Sequence, residues 1–226
     1  MNINGITKLH LACGLHTPEG WINVDWSWGA WLGKHRSLKS ILDATHLLPR
    51  TADWPPNVLI HDLRKPLPFA NDSISVIYSS NLLEHLYKSE ARKLLRECHR
   101  VLSPGGVARV IVPDLAAIVR EYCSGDISLE PLHSDNRADL FNKRLCMFES
   151  VPYRGSLLLR LYYLLHNPRH KYMYDEESLS ACFLDAGFKQ PTRRSLFDSQ
   201  IPNVEIVEDH KHFTVRHDLC IEAVKD

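Results

Sequence analysis

Lys8-Leu9-His10-Leu11-Ala12-Cys13-Gly14 is an apolar run that closes on small residues, and Gly20-Trp21-Ile22-Asn23-Val24-Asp25 follows it after a brief loop. Two short runs of this kind, each ending in a turn signal, read as neighbouring strands of a sheet. A small-residue turn where a strand ends lets a ligand approach the backbone, and the carboxyl ends of the strands are where open α/β sheets bind their ligands. Asp25, closing the second strand, suits the two hydroxyls of a ribose. A tight turn at Gly14 and a helix cap at Asp25 are the structural alternatives. The lone Gly14 does not make the G-x-G-x-x-G fingerprint of dinucleotide-binding proteins. Only Gly14 to Trp21 separates the two strands, fewer than the dozen or so residues of a parallel crossover, so no full helix fits between them.

Further strands are expected at Val58 to Ile60, Ile74 to Tyr78, Val107 to Val112, Arg193 to Phe197 and Cys220 to Val224. Helical patterns alternate with them, which is the signature of a mostly parallel sheet in an α/β protein. Ser89 is expected to cap a helix running to about Leu102, with Ala91, Leu94, Leu95, Cys98, Val101 and Leu102 facing the core. Asp114 should cap a helix from Leu115 to Tyr122, and another should follow Asp175 and end at Gly187. The chain reads as one domain over residues 1–226, with an insert at about 27–57, helical around Leu38 to Leu48, and a helical region at about 124–170. The insert is expected to cover the sheet surface left bare by the missing first helix.

Lys plus Arg and Asp plus Glu each total 27 in 226 residues, so no basic field favours a nucleic-acid partner. The six cysteines show no C-x-x-C pairing, which argues against a disulfide framework or a zinc site. The opening residues Met1 to Gly5 have neither a basic nor an apolar leader region, and a cytoplasmic location is expected. The apolar stretch Leu157 to Leu165 is shorter than the ~20 residues of a membrane span and holds Arg160, leaving peripheral membrane contact as the only expected kind. His210-Lys211-His212 lacks a third ligand at useful spacing, so no metal site is expected.

His61-Asp62-Leu63-Arg64-Lys65-Pro66-Leu67-Pro68-Phe69 follows the third strand, Tyr78-Ser79-Ser80-Asn81-Leu82-Leu83-Glu84-His85-Leu86 the fourth, and Arg100-Val101-Leu102-Ser103-Pro104-Gly105-Gly106 precedes the fifth. In this order and spacing, from Lys8 to Pro113, the chain resembles class I S-adenosylmethionine-dependent methyltransferases, specifically the small bacterial-type methyltransferase-domain group (type 11-like). Tyr172 to Leu179 and Ala186-Gly187-Phe188 echo the resemblance further on. It implies a Rossmann-like seven-stranded sheet of order 3-2-1-4-5-7-6, the seventh strand antiparallel, with helices on both faces. It also implies S-adenosylmethionine as cofactor: Ala12, Cys13 and Gly14 against its methionine part, Asp25 on the ribose, Asp62 and Leu63 about the adenine, and Ser80 and Asn81 approaching from the fourth strand. The chain departs from the family where an acidic residue and Gly-x-Gly are common, having His10 and Ala12-Cys13-Gly14.

Trp26, Trp28, Trp31 and Trp54 concentrate in and beside the insert, for packing or, alternatively, for covering an acceptor. A methyl acceptor needs alignment and, if it is a hydroxyl or amine, removal of a proton. His85, and His170 with Tyr174, are the candidates for that work. His85 bonding backbone and Glu84 as a local helix-end charge are the structural alternatives. The acceptor is expected to be a glycan or a small-molecule hydroxyl. An NAD-dependent nucleotide-sugar enzyme and a non-catalytic binding module of the same fold are the competing readings, the first weakened by the absent glycine fingerprint.

Overall fold

The computed structural model describes residues 7–45, 52–124, 137–146, 169–208 and 218–226. Seven strands form one sheet: β1 (Lys8–Leu11), β2 (Trp21–Asp25), β3 (Leu59–Ile60), β4 (Ile74–Ser80), β5 (Leu102–Pro113), β6 (Lys189–Arg194) and β7 (Asp218–Val224). Their order is β3-β2-β1-β4-β5-β7-β6. β1 pairs in parallel with β2 and β4, and β7 is antiparallel to both β5 and β6. No helix stands between β1 and β2, as the length of that loop dictates.

One face of the sheet carries two amphipathic helices, α3 (Lys88–Val101) and α6 (Glu176–Asp185). Ala91, Leu94, Leu95, Cys98 and Val101 of α3 and Leu179, Cys182 and Phe183 of α6 are buried with Leu9, Leu11, Val24 and Ile77 of the strands. Their spacing of three and four residues keeps them on a single stripe. The start of α3 differs from expectation: the N-cap is Tyr87, not Ser89, because Glu90 turns its carboxylate back to accept the Tyr87 N–H at 2.9 Å. Asp114 caps α4 (Leu115–Ser124) through the Ala117 N–H, and Asp175 caps α6 through the Ser178 N–H. Gly187, at φ +104°, follows α6 in a conformation that suits a glycine.

The opposite face is closed differently. Trp21, Val76, Tyr78, Val107 and Ile111 are covered by Ile201, Val204 and Val207, which belong to the connection between β6 and β7. The expectation that the insert covers this surface is corrected: among the described residues, its Ala30 and Trp54 cluster instead with Cys13, Val58 and Ile60. The insert folds as α1 (Trp28–Lys34) and α2 (Arg36–Thr45), beginning well before Leu38. Trp54 lies against α1 so closely that a Cβ at Gly29 would collide with its indole nitrogen, which makes packing the role of this tryptophan.

The strand expected at Arg193 to Phe197 is also corrected, to Lys189–Arg194. It pairs on one side only, with β7, so most of its residues meet solvent and no alternation marks it in the sequence. Of the helical region expected at 124–170, the described part holds α5 (Arg137–Arg144); the remainder, like the Leu157 to Leu165 run and His210 to His212, lies outside the described residues. No helix among the described residues is long and apolar enough to cross a membrane.

Candidate cofactor and acceptor site

Where β1 and β4 end side by side, the chain leaves β1 through a left-handed turn. Ala12 has φ +54° and Gly14 φ +55°. For alanine that region costs about 1–2 kcal/mol, which identifies position 12 as one where glycine is the unstrained choice. A Cβ built on Gly14 would meet nothing within 4 Å, so open space stands over the turn. The space is a cleft of ≈ 210 Å³ lined by His10, Ala12, Cys13, Gly14, Ser80 and Asn81, with Tyr78, Leu15, His16 and Val207. Five residues singled out in the sequence thus meet in one cavity.

Asp25, at the end of β2, ties this turn to the insert: one oxygen accepts the Gly14 N–H at 3.1 Å and the other the Ser27 N–H at 2.7 Å. Each oxygen keeps a lone pair for a further donor. Burial, with the nearby Asp25 charge, pushes the Cys13 thiol up to about 12, so it is a neutral wall rather than a nucleophile. Burial, with His16 nearby, holds His10 down at about 3. His10 is therefore a neutral ring, edge-on to Tyr78 and Trp21, where the family commonly carries an anion.

Asp62 is held in a bidentate pair by Arg64, at 2.9 and 3.0 Å, and those bonds lower its pKa. Leu63 points into the core beneath α3, so only its backbone can reach a ligand. The Arg64 guanidinium lies 4.3 Å from the Trp26 ring centre, and Trp26 remains 48% exposed. This indole next to Asp25 offers a flat apolar surface that the sequence reading did not assign to the cofactor. A tryptophan directly after the strand-ending acid was the available signal. Trp28 and Trp31 stack on each other at 5.0 Å.

Just beyond Asn81, the chain makes a 3-10 turn, Leu83–His85. His85 thus closes this turn, three residues before α3 begins at Lys88. Its ring meets that of His170 edge-on, with centres 4.9 Å apart. The two segments are clipped together by the Glu84 carbonyl, which accepts N–H bonds from Lys171 at 2.7 Å and Tyr172 at 3.3 Å. Burial lowers the pKa of His85, against a bond to the Arg169 backbone, and burial with His85 nearby lowers His170 to about 4. Glu84, read from the sequence as a helix-end charge, is 1% exposed, and burial with the Asp218 charge pushes it up to about 8. Tyr174 is fully buried against Tyr172, and burial raises its hydroxyl pKa.

Residues 36–110 match the family model of the methyltransferase domain. No curated protein matches the sequence. Among solved structures, an S-adenosylmethionine dependent methyltransferase from Mesorhizobium loti aligns over 100% of this chain and 93% of its own, at 16% identity and a TM-score of 0.48. A SAM-dependent methyltransferase from Thermotoga maritima, described as a possible histamine N-methyltransferase, aligns over 97% and 82%, at 15% identity and TM-score 0.46. A possible exported protein from Bordetella parapertussis aligns over 98% and 62%, at 12% identity and TM-score 0.47, so the chain spans less than two thirds of that protein. Strand order, the reversed last strand and the family match together give the class: the fold is that of the Rossmann-like, class I S-adenosylmethionine-dependent methyltransferases.

Proposed function

We propose that the protein binds S-adenosylmethionine in the cleft at the ends of β1 and β4 and moves its methyl group to a hydroxyl of a sugar or small molecule. The observation that carries this reading is the meeting of the Ala12-Cys13-Gly14 turn with Ser80 and Asn81 in one cavity, while Asp25 keeps free acceptor positions beside it. A sulfonium cofactor has no pyrophosphate, so a site with one open glycine turn and few amide donors suits it better than it suits NAD.

The bound cofactor supplies an already activated methyl group. The protein's share is alignment. Asp25 accepts the ribose hydroxyls, Trp26 and the Leu63 backbone flank the adenine beside the Asp62–Arg64 pair, and the left-handed turn holds the methionine end. The acceptor oxygen approaches from the side of His85 and His170, which hold it in line and ease the loss of its proton.

Titration calorimetry with S-adenosylhomocysteine tests the cofactor half. Asp25→Ala should weaken binding by roughly ten- to a hundredfold, as expected for loss of hydrogen bonds to a charged group. A variant that keeps its melting temperature and binds like the parent, or a parent that does not bind, would remove the assignment. A gain of one methyl mass in a glycan or metabolite fraction incubated with protein and cofactor identifies the acceptor.

A further inference from the structure

We propose that Glu84, His85 and His170 form a binding site for a divalent first-row transition ion, beside the 3-10 turn that follows β4. Among the described residues, one ligand atom from each lies within 4.8 Å of the other two. The carboxylate of Glu84 is buried, and among the described residues no other residue donates a hydrogen bond to it. Buried polar groups are nearly always satisfied, and a cation is the partner that a carboxylate flanked by two imidazoles can take.

The ligands also come from a frame that is already built. Glu84 and His85 stand in the 3-10 turn after β4, and His170 on the segment whose backbone the Glu84 carbonyl fixes through Lys171 and Tyr172. The Lys171 side chain does not fill the place of a cation, because its ammonium lies over the Tyr87 ring at 4.6 Å. Each ring has a further contact that holds it, His85 with the Arg169 backbone and His170 with Met173 Sδ at 3.1 Å from its Nδ1. Such outer contacts fix the ligand geometry of metal sites.

Bonds of about 2.1 Å at tetrahedral angles place ligand atoms about 3.4 Å apart, so closure requires side-chain movement of about 1 Å. Two imidazoles and one carboxylate favour zinc, cobalt, nickel, iron or manganese over magnesium, which prefers oxygen alone. Three protein ligands leave a coordination position open, as catalytic sites do and structural zinc sites do not. Resting on the methyl-transfer reading, the open position is where the acceptor hydroxyl would bind. His85 and His170 then hold it through the ion, which lowers the pKa of the oxygen it carries.

The test is calorimetric titration of the chelator-treated protein with Zn²⁺, and with Co²⁺ followed by its visible absorption. One equivalent should bind, and the melting temperature should rise with it. Glu84→Gln and His170→Ala should each weaken Zn²⁺ by roughly a hundredfold or more, beyond the 10–100-fold typical of losing an outer-shell contact. Binding of S-adenosylhomocysteine should persist in both variants. A His210→Ala/His212→Ala protein should keep the full stoichiometry. No stoichiometric ion in the parent, unchanged affinity in folded Glu84→Gln and His170→Ala, or loss only in the His210/His212 variant would each overturn the site. Failure of the cofactor reading would appear separately, as a metal-binding protein indifferent to S-adenosylhomocysteine.

Discussion

The two faces of the sheet are closed by opposite means. Under α3 and α6 the cover is helical, and it buries a continuous apolar stripe against the strands. On the other face the cover is a loop, and its anchor is a fully buried ion network. Arg109 of β5 donates to Glu208 and Glu222 and to the backbone carbonyls of Asp198 and Ser195. The same carboxylates accept the Phe197 and Gln200 N–H groups. A helix satisfies its own backbone, whereas an irregular segment over a sheet needs polar partners for backbone groups taken out of water. The loss of one crossover helix therefore exchanges nonpolar packing for charge.

The largest effect should come from dividing that network. Arg109→Ala leaves two carboxylates buried without their cation and should cost about 4 kcal/mol in urea unfolding. Replacing Arg109, Glu208 and Glu222 together by Met, Gln and Gln should recover most of it; failure to do so would show that the charge itself is required. On the helical face, Leu95→Ala should cost about 3 kcal/mol through its cavity, with no dependence on salt or pH.

Acid should separate the faces too. His10, 4% exposed, has its pKa lowered from 6.5 to about 3 in the folded protein, so between those values the unfolded chain binds the proton and the folded chain does not. Its contribution is complete above pH ~7 and declines as pH falls through 6.5, by about 2 kcal/mol at pH 5. His10→Gln should flatten this part of the stability profile; an identical slope in parent and variant would break the attribution. The smallest effect is at Ala12: Ala12→Gly relieves the left-handed alanine and should add about 1 kcal/mol to the stability without weakening S-adenosylhomocysteine.

Much of this was legible in the sequence, for reasons particular to each segment. β1, β2 and β4 are central strands whose apolar runs end in distinctive turns, and α3 shows its stripe plainly. β6 is an edge strand of Lys189-Gln190-Pro191-Thr192-Arg193-Arg194, where periodicity has nothing to act on. The covering loop appears only as scattered Ile201, Val204 and Val207, and Arg109 reads as an outward charge until its partners, about a hundred residues later, are brought to it. Gly14 could be read because a small-residue turn at a strand end has a sequence signature, and Ser80 and Asn81 through the resemblance of their segment to the methyltransferase motif. The burial of Glu84 could not, since it depends on α3 starting at Lys88 and on the distant segment around Lys171 folding over the turn.

Val207 reaches the cleft from the far side of the sheet, and the Ile206 carbonyl lies 3.0 Å from the His16 ring. During synthesis at ~5–20 residues per second, the motifs up to Pro113 emerge about 5–20 s before residue 208. Over that interval Trp21, Tyr78 and Ile111 have no cover, a hydrophobic surface for a chaperone to hold. A fragment ending at Pro113 would contain all five cleft-lining residues marked out in the sequence, yet lack the wall that closes the cleft.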